Sequence, residues 1–390
     1  MPPAPDGTTP RGPRDARFLE PAYGVGSLGD VVPAVAGALG LPVDFFAGGR
    51  PAGLLLPDAP AYVVFLVDGL GARLLQRHAH AAPYLSALAQ GHAAATCGVP
   101  STTATSLTSL GTALVPGAHG VVGFTSRVPG TDRLLNALQW SKRVDPTEWQ
   151  PQRTAFARLG AAGASVTVVN KREFAGSGLT VAAHRGADYV GADKVGERIA
   201  AAVTASAQRP SLTYLYDGDL DWTGHRHGVA SSQWLQQLAM IDAEAEQLRE
   251  ALPTHVRLLV VADHGMVDAP DDNRVDVDVV DALRDGVALL GGEARFRQLY
   301  CQRGAVDDVV AAWRGVLGDR AEVLAREDAV ARGWFGEVSS SVLPRYGDVV
   351  VACHGDTVVL SSTDFPYETG LVGFHGSLTP DEMLIPVLID

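Results

Sequence analysis

The sequence predicts an α/β protein built around a mainly parallel sheet with helices on both faces. Short β-branched or aromatic apolar runs alternate with longer helical stretches, the pattern of strands joined by crossover helices. Several of those runs are apolar at nearly every position, as strands covered on both sides must be. The strand candidates are 61–67 (AYVVFLV), 164–169, 211–216, 256–262, 347–353 and 384–389. Helical patterns fall near 72–90, 103–114, 152–163, 194–208, 232–252 and 305–317. In 232–252, Trp234, Leu235, Leu238, Ile241, Ala245 and Leu248 share one stripe, which places the acids and glutamines on the opposite face.

The chain has 390 residues, 46% of them hydrophobic, enough for a large core with a smaller lobe. The expected division is a disordered arm over 1–20, a core of 21–275 plus 335–390, and a small inserted α+β lobe over 276–334. The start, MPPAPDGTTPRGPRDAR, lacks the apolar stretch of a secretory signal, and no apolar run approaches roughly 18 residues, so no membrane association is expected. A net charge of −13 argues against stable nucleic-acid binding, because backbone phosphates require clustered cations. Three dispersed cysteines (Cys97, Cys301, Cys353) fit a reducing compartment, and a cytoplasmic location is expected.

The informative residues sit where strands end. Asp68 follows 61–67 in VVFLVDGLG, and Asp263 and His264 follow 256–262 in LLVVADHGM. Asp221 and His225, in DLDWTGH, lie just past 211–216 and four apart, so one helical turn aims both at one spot. Ligands of open α/β sheets sit beyond the carboxyl ends of the strands, so these exits converge if the strands are parallel neighbours. Each element alone has a plainer reading: a turn for Asp68-Gly69, a loop for Asp263-His264-Gly265, a salt-linked helix start for Asp221 and His225. His375 in GFHG completes the set, whereas His227 reads as a solvated neighbour and His119 as a turn residue. Ser101, Thr102, Thr103, Thr105 and Ser106 precede a helical pattern. They form either a cap or, since helix N-termini favour anions, a place where a hydroxyl meets a phosphate. A threonine hydroxyl becomes a competent nucleophile only with a metal or base beside it.

Taken in order, VDGLG, GVPSTTATSLTSLGTALVPGAHGVVG, DWTGHRHG, ADHGM and FHGS resemble the alkaline phosphatase superfamily. The nearest branch is the nucleotide pyrophosphatase/phosphodiesterase-like (type I phosphodiesterase) family, over about 58–275 and again 340–390. The resemblance implies an alkaline-phosphatase-like fold and Thr103 as nucleophile. It implies two divalent ions, zinc foremost with manganese or iron as alternatives. One is held by Asp221, His225 and His375, the other by Asp68, Asp263 and His264 with Thr103 as a further ligand. The implied reaction is hydrolysis of a phosphodiester or pyrophosphate bond in a small-molecule substrate, of which a nucleotide is one candidate. Rival expectations are a phosphomonoesterase or phosphonate hydrolase on the same ions, and a non-catalytic metal-binding protein. Phe124 stands where the family often carries a phosphate-contacting Asn, and Ser106-Leu107 replaces a common Asn-His.

Overall fold

The computed structural model describes residues 17–44, 46, 51 and 53–390. The arm expected over 1–20 lies outside the described residues as far as residue 16. Its remainder packs on the body: Phe18 stacks on His354 with ring centroids 4.2 Å apart, and the Leu19 N–H donates to the Leu378 carbonyl at 2.8 Å.

Strands β1 (Ala61–Val67), β2 (Ser165–Asn170), β3 (Asp188–Gly191), β4 (Ser211–Asp217) and β5 (Val256–Val261) form the parallel part of the main sheet. A second, antiparallel sheet contains β6 (Val287–Glu293), β7 (Phe296–Cys301), β8 (Ala321–Ala325) and β9 (Val349–Cys353). The last strand, β10 (Val387–Ile389), returns antiparallel to the edge of the main sheet, giving the order β10-β5-β1-β4-β2-β3. All seven residues of β1 are buried, as its unbroken apolar run requires. The run 347–353 is a strand, but it lies between β7 and β8 in the second sheet and not among the parallel strands. An apolar run reports burial, not which sheet buries it. The segment 384–389 divides at Pro386 into a short pairing with 95–96 and the edge strand β10.

The helices that matter for the site are α1 (Thr103–Thr112), α2 (Val195–Ala205), α3 (Asp219–His227) and α4 (Ser232–Ala251). Helix α5 (Val306–Leu317) covers the second sheet, burying Trp313, whose indole N–H donates to the Leu283 carbonyl at 3.1 Å. The helical pattern at 72–90 is two helices, Ala72–Arg77 and Pro83–Ala89, because Pro83 cannot continue the first. No helix among the described residues is long and apolar enough to cross a membrane.

Helix α4 buries the expected stripe, with Leu235 only partly covered, but Asp242 and Glu244 are buried as well. Both carboxylates are paid for by donors that sequence pattern cannot show. Asp242 accepts the Tyr84 and Leu85 N–H groups at 3.2 and 2.8 Å, capping the helix that begins at Pro83. Glu244 accepts Arg198 of α2 through Nε at 2.9 Å and Nη2 at 2.5 Å. The same Nη2 lies 2.6 Å from Asp217 at the end of β4, and Asp217 in turn accepts the Asp219 N–H at 2.9 Å. One buried guanidinium therefore joins α2, β4 and α4 and holds the start of α3. Removing it strands two carboxylates in the core, so Arg198→Met is expected to lower unfolding free energy by about 3–5 kcal/mol, read by urea denaturation.

Candidate active site

The register explains why the candidate residues meet. β1 lies between β4 and β5, pairing Val67 with Asp217 and Leu66 with Val261, so three adjacent strands end at one level. Asp68, Asp263 and His264 follow directly, and α3 starts two residues after β4, carrying Asp221 in its first turn and His225 one turn on. Gly69 makes this approach feasible. It has φ +75°, its N–H donates to Asp263 Oδ1 at 3.1 Å, and a Cβ there would stand 3.0 Å from the Asp221 Cβ.

His264 Nε2 lies 3.5 Å from both Asp68 Oδ1 and Asp263 Oδ2. His225 Nε2 is 3.4 Å from Asp221 Oδ2, and His375 Nε2 is 3.7 Å from Asp221 Oδ1. Two ligand groups result, Asp68–Asp263–His264 and Asp221–His264–His375, the atoms within each all lying within 4.8 Å of one another. His264 stands in both, stacked on His375 with ring centroids 3.7 Å apart. His225 closes on the second group through His375, Nε2 to Nε2, at 3.2 Å.

These side chains fit divalent cations on three counts. Each imidazole uses Nδ1 on a backbone carbonyl: His225 on Gly373 at 2.8 Å, His264 on Gly265 at 2.9 Å, His375 on Ser101 at 2.9 Å. Nδ1 must carry the proton in such a contact, which turns the Nε2 lone pair inward, the arrangement of metal-binding histidines. Two lone pairs facing each other at the His225–His375 distance repel unless an electrophile lies with them. Finally, Asp68 Oδ1, Asp221 Oδ1 and Asp263 Oδ2, the oxygens facing those nitrogens, are buried without a hydrogen-bond partner.

The electrostatics agree. Burial, then the carboxylates of Asp263 and Asp221, hold the Asp68 pKa well above the usual range, although the Tyr216 hydroxyl donates to its Oδ2 at 2.5 Å. Burial also raises Asp263, with Asp221 adding to it and His264 opposing. Burial, His264 and His225 push His375 well below the ordinary histidine value. Without a cation, the site strains against its own ionised form.

Of the five hydroxyls at 101–106, Thr102 and Thr103 alone line the cavity beside these ligands, whose volume is about 500 Å³. Thr103 opens α1, with Oγ1 3.3 Å from His264 Nε2. Thr102 is the N-cap, yet its side chain makes no capping bond, so the cap reading of this cluster does not account for it. Ser101 ties the His375 loop down, its Oγ donating to the Ser377 carbonyl at 2.6 Å and accepting the Gly376 N–H at 3.1 Å. Ser106 Oγ donates to the Asp263 carbonyl at 2.8 Å and fixes the exit of β5. His119 is buried in its turn, contacting Ser109 Oγ at 3.0 Å, and His227 is exposed.

The cavity wall contains residues that no motif announced. Phe124 and Tyr367 meet edge to face at 6.1 Å, and the Arg226 guanidinium lies 4.7 Å over the exposed Trp222 ring at the rim. Glu293, at the end of β6, accepts the Phe124 N–H at 3.2 Å, and burial raises its pKa to about 7 against the lowering effect of the Thr102 hydroxyl. Its only sequence signal is an acid closing a Gly-Gly-Glu run, which any turn would show.

The sequence pattern of the type I phosphodiesterase/nucleotide pyrophosphatase family matches residues 62–378. The chain belongs to this family. It is accordingly a phosphodiesterase-type hydrolase of the alkaline phosphatase superfamily. No curated protein matches it in sequence. Among solved structures, murine ectonucleotide pyrophosphatase/phosphodiesterase 5 is similar with a TM-score of 0.67 at 17% identity, covering 84% of this chain and 87% of that one. The human counterpart gives 0.64 at 18% identity, with coverage of 84% and 87%. An inactive threonine-to-alanine variant of the murine protein, in complex with AMP, gives 0.67 at 16% identity over 85% and 87%. These likenesses establish the alkaline-phosphatase-like fold of this phosphodiesterase family member.

Adding zinc or manganese to chelator-treated protein is expected to raise its melting temperature, by about 2.7 kcal/mol of stabilisation at a hundredfold excess over Kd. Asp263→Asn should lose most of that gain, as scanning calorimetry would show.

Proposed function

We propose that this chain hydrolyses phosphodiester or pyrophosphate bonds of a small, nucleotide-like substrate through a phosphothreonine on Thr103. The observation that carries the reading is the position of Thr103 Oγ1, at the first turn of α1, beside His264 and open to the cavity shared with the ligand carboxylates. The murine relative whose inactive threonine variant holds AMP supports both a threonine and a nucleotide.

Asp221, His225 and His375 would hold one divalent cation and Asp68, Asp263 and His264 the other. Zinc is our first assignment, since N/O sets of this kind suit catalytic zinc. When bound, such ions lower the pKa of nearby hydroxyls and offset the charge that develops on phosphate oxygens. The chain's own groups do the rest. The first-turn N–H groups of α1 face an incoming phosphate with their partial positive charge. Thr103 Oγ attacks phosphorus, its proton passing to solvent as the O–P bond forms, while the bond to the leaving group breaks and the departing oxygen takes a proton from solvent. Water then attacks the same phosphorus, the Thr103 O–P bond breaks and the hydroxyl is restored. Phe124 and Tyr367 wall the leaving-group side with apolar surface. A reducing cytoplasm belongs to this proposal and suits the free thiols of Cys97, Cys301 and Cys353.

Thr103→Ala is expected to retain its metal, by elemental analysis, while losing on the order of 10³-fold or more in kcat toward bis-p-nitrophenyl phosphate. Unchanged turnover would remove Thr103 as nucleophile. Preference for p-nitrophenyl phosphate over the diester would instead favour the phosphomonoesterase reading.

A further inference from the structure

Glu293 belongs to neither ligand group, yet it is only 7% exposed and lines the cavity with Thr103, Asp221 and His375. Its placement is enforced from several sides. A Cβ on Gly376, the residue after His375, would meet Glu293 Cγ at 2.7 Å, and one on Gly123 would stand 3.5 Å from Oε1. The Phe124 N–H donates to Oε2 and the Thr102 hydroxyl favours the ionised form, whereas Oε1 has no hydrogen-bond partner of standard geometry among the described residues. Arg297 and His264 favour its ionised form only from a distance. Arg295 is committed to Glu382 at 2.6 and 2.7 Å, Arg297 is paired with Glu368, and Glu293 forms no salt bridge among the described residues. A buried carboxyl thus stands in the wall of the cavity shared with Thr102 and Thr103, where its charge acts on whatever phosphate group enters.

We propose that Glu293 is a specificity-determining residue that sets the charge preference of the phosphate subsite. Its carboxylate admits the single negative charge of a phosphodiester and disfavours the second charge of a terminal phosphate. This rests on the phosphodiesterase reading above. Like charges facing each other in a partly desolvated cavity discriminate strongly between ligands of similar shape. The same repulsion acts on the product, because cleaving a diester leaves a phosphomonoester dianion. Glu293 thereby favours release of that product and opposes its further hydrolysis.

The test compares kcat/KM for bis-p-nitrophenyl phosphate and p-nitrophenyl phosphate in the metal-loaded wild type, Glu293→Gln and Glu293→Asp at alkaline pH. The diester-to-monoester ratio is expected to fall about tenfold in Glu293→Gln, through a gain on the monoester, and to stay near wild type in Glu293→Asp. Methylphosphonate, a dianion that cannot be hydrolysed as an ester, should bind Glu293→Gln more tightly by a similar factor in calorimetry. A ratio that does not move, or a parallel loss on both substrates, overturns the proposal and leaves Glu293 a structural residue. Should the amide variant fail to fold, Glu293→Met removes the charge at similar volume and carries the same expectations. A wild type inert toward both esters defeats the phosphodiesterase reading instead, while methylphosphonate affinity still decides the charge preference.

Discussion

Mutual repulsion among Asp68, Asp221 and Asp263 is the constraint on which the rest of the structure depends. Two neighbouring strand ends and the first turn of α3 deliver these carboxylates to one place, and the oxygens that face inward have no protein donor among the described residues. Isolated buried carboxylates are costly, so such a cluster either takes up protons or suits a compensating cation. The surrounding hydrogen bonds hold these side chains in place. Backbone carbonyls take the outer nitrogen of each histidine, Tyr216 steadies Asp68, and Ser101 and Ser106 anchor the loops that carry His375 and Asp263.

Much of this was legible in the sequence because parallel sheets write their function at strand ends. An apolar run closing on Asp-Gly or Asp-His-Gly records both the strand and the side chain that leaves it. The four-residue spacing of Asp221 and His225 records a helical turn. His264, which the resemblance groups with Asp68 and Asp263, also lies within reach of Asp221 and His375, because ring stacking against His375 is a tertiary contact with no linear trace.

A small α+β lobe was expected over 276–334, but that β9 joins its sheet was not legible, and neither was Glu293. Residues 347–353 are as apolar as the parallel strands, so composition alone could not assign them to β9. The buried pairs Arg198–Glu244 and Arg295–Glu382 join residues 46 and 87 apart, and charged residues in a linear pattern read as surface. Glu293 gains meaning only from the cavity beside it, which the His375 loop, the 121–124 turn and β6 build together.

The two sheets divide the work in a way that bears on how such enzymes diversify. The ligand carboxylates grow out of the main sheet and depend on its register, so few alterations there leave the chemistry intact. The cavity wall comes largely from outside that sheet, from the turn at Phe124, the end of β6, the exposed face of α3 and the 367–375 segment. Substitutions in those wall segments would reshape what the cavity accepts while leaving the strand ends that carry Asp68 and Asp263 in place.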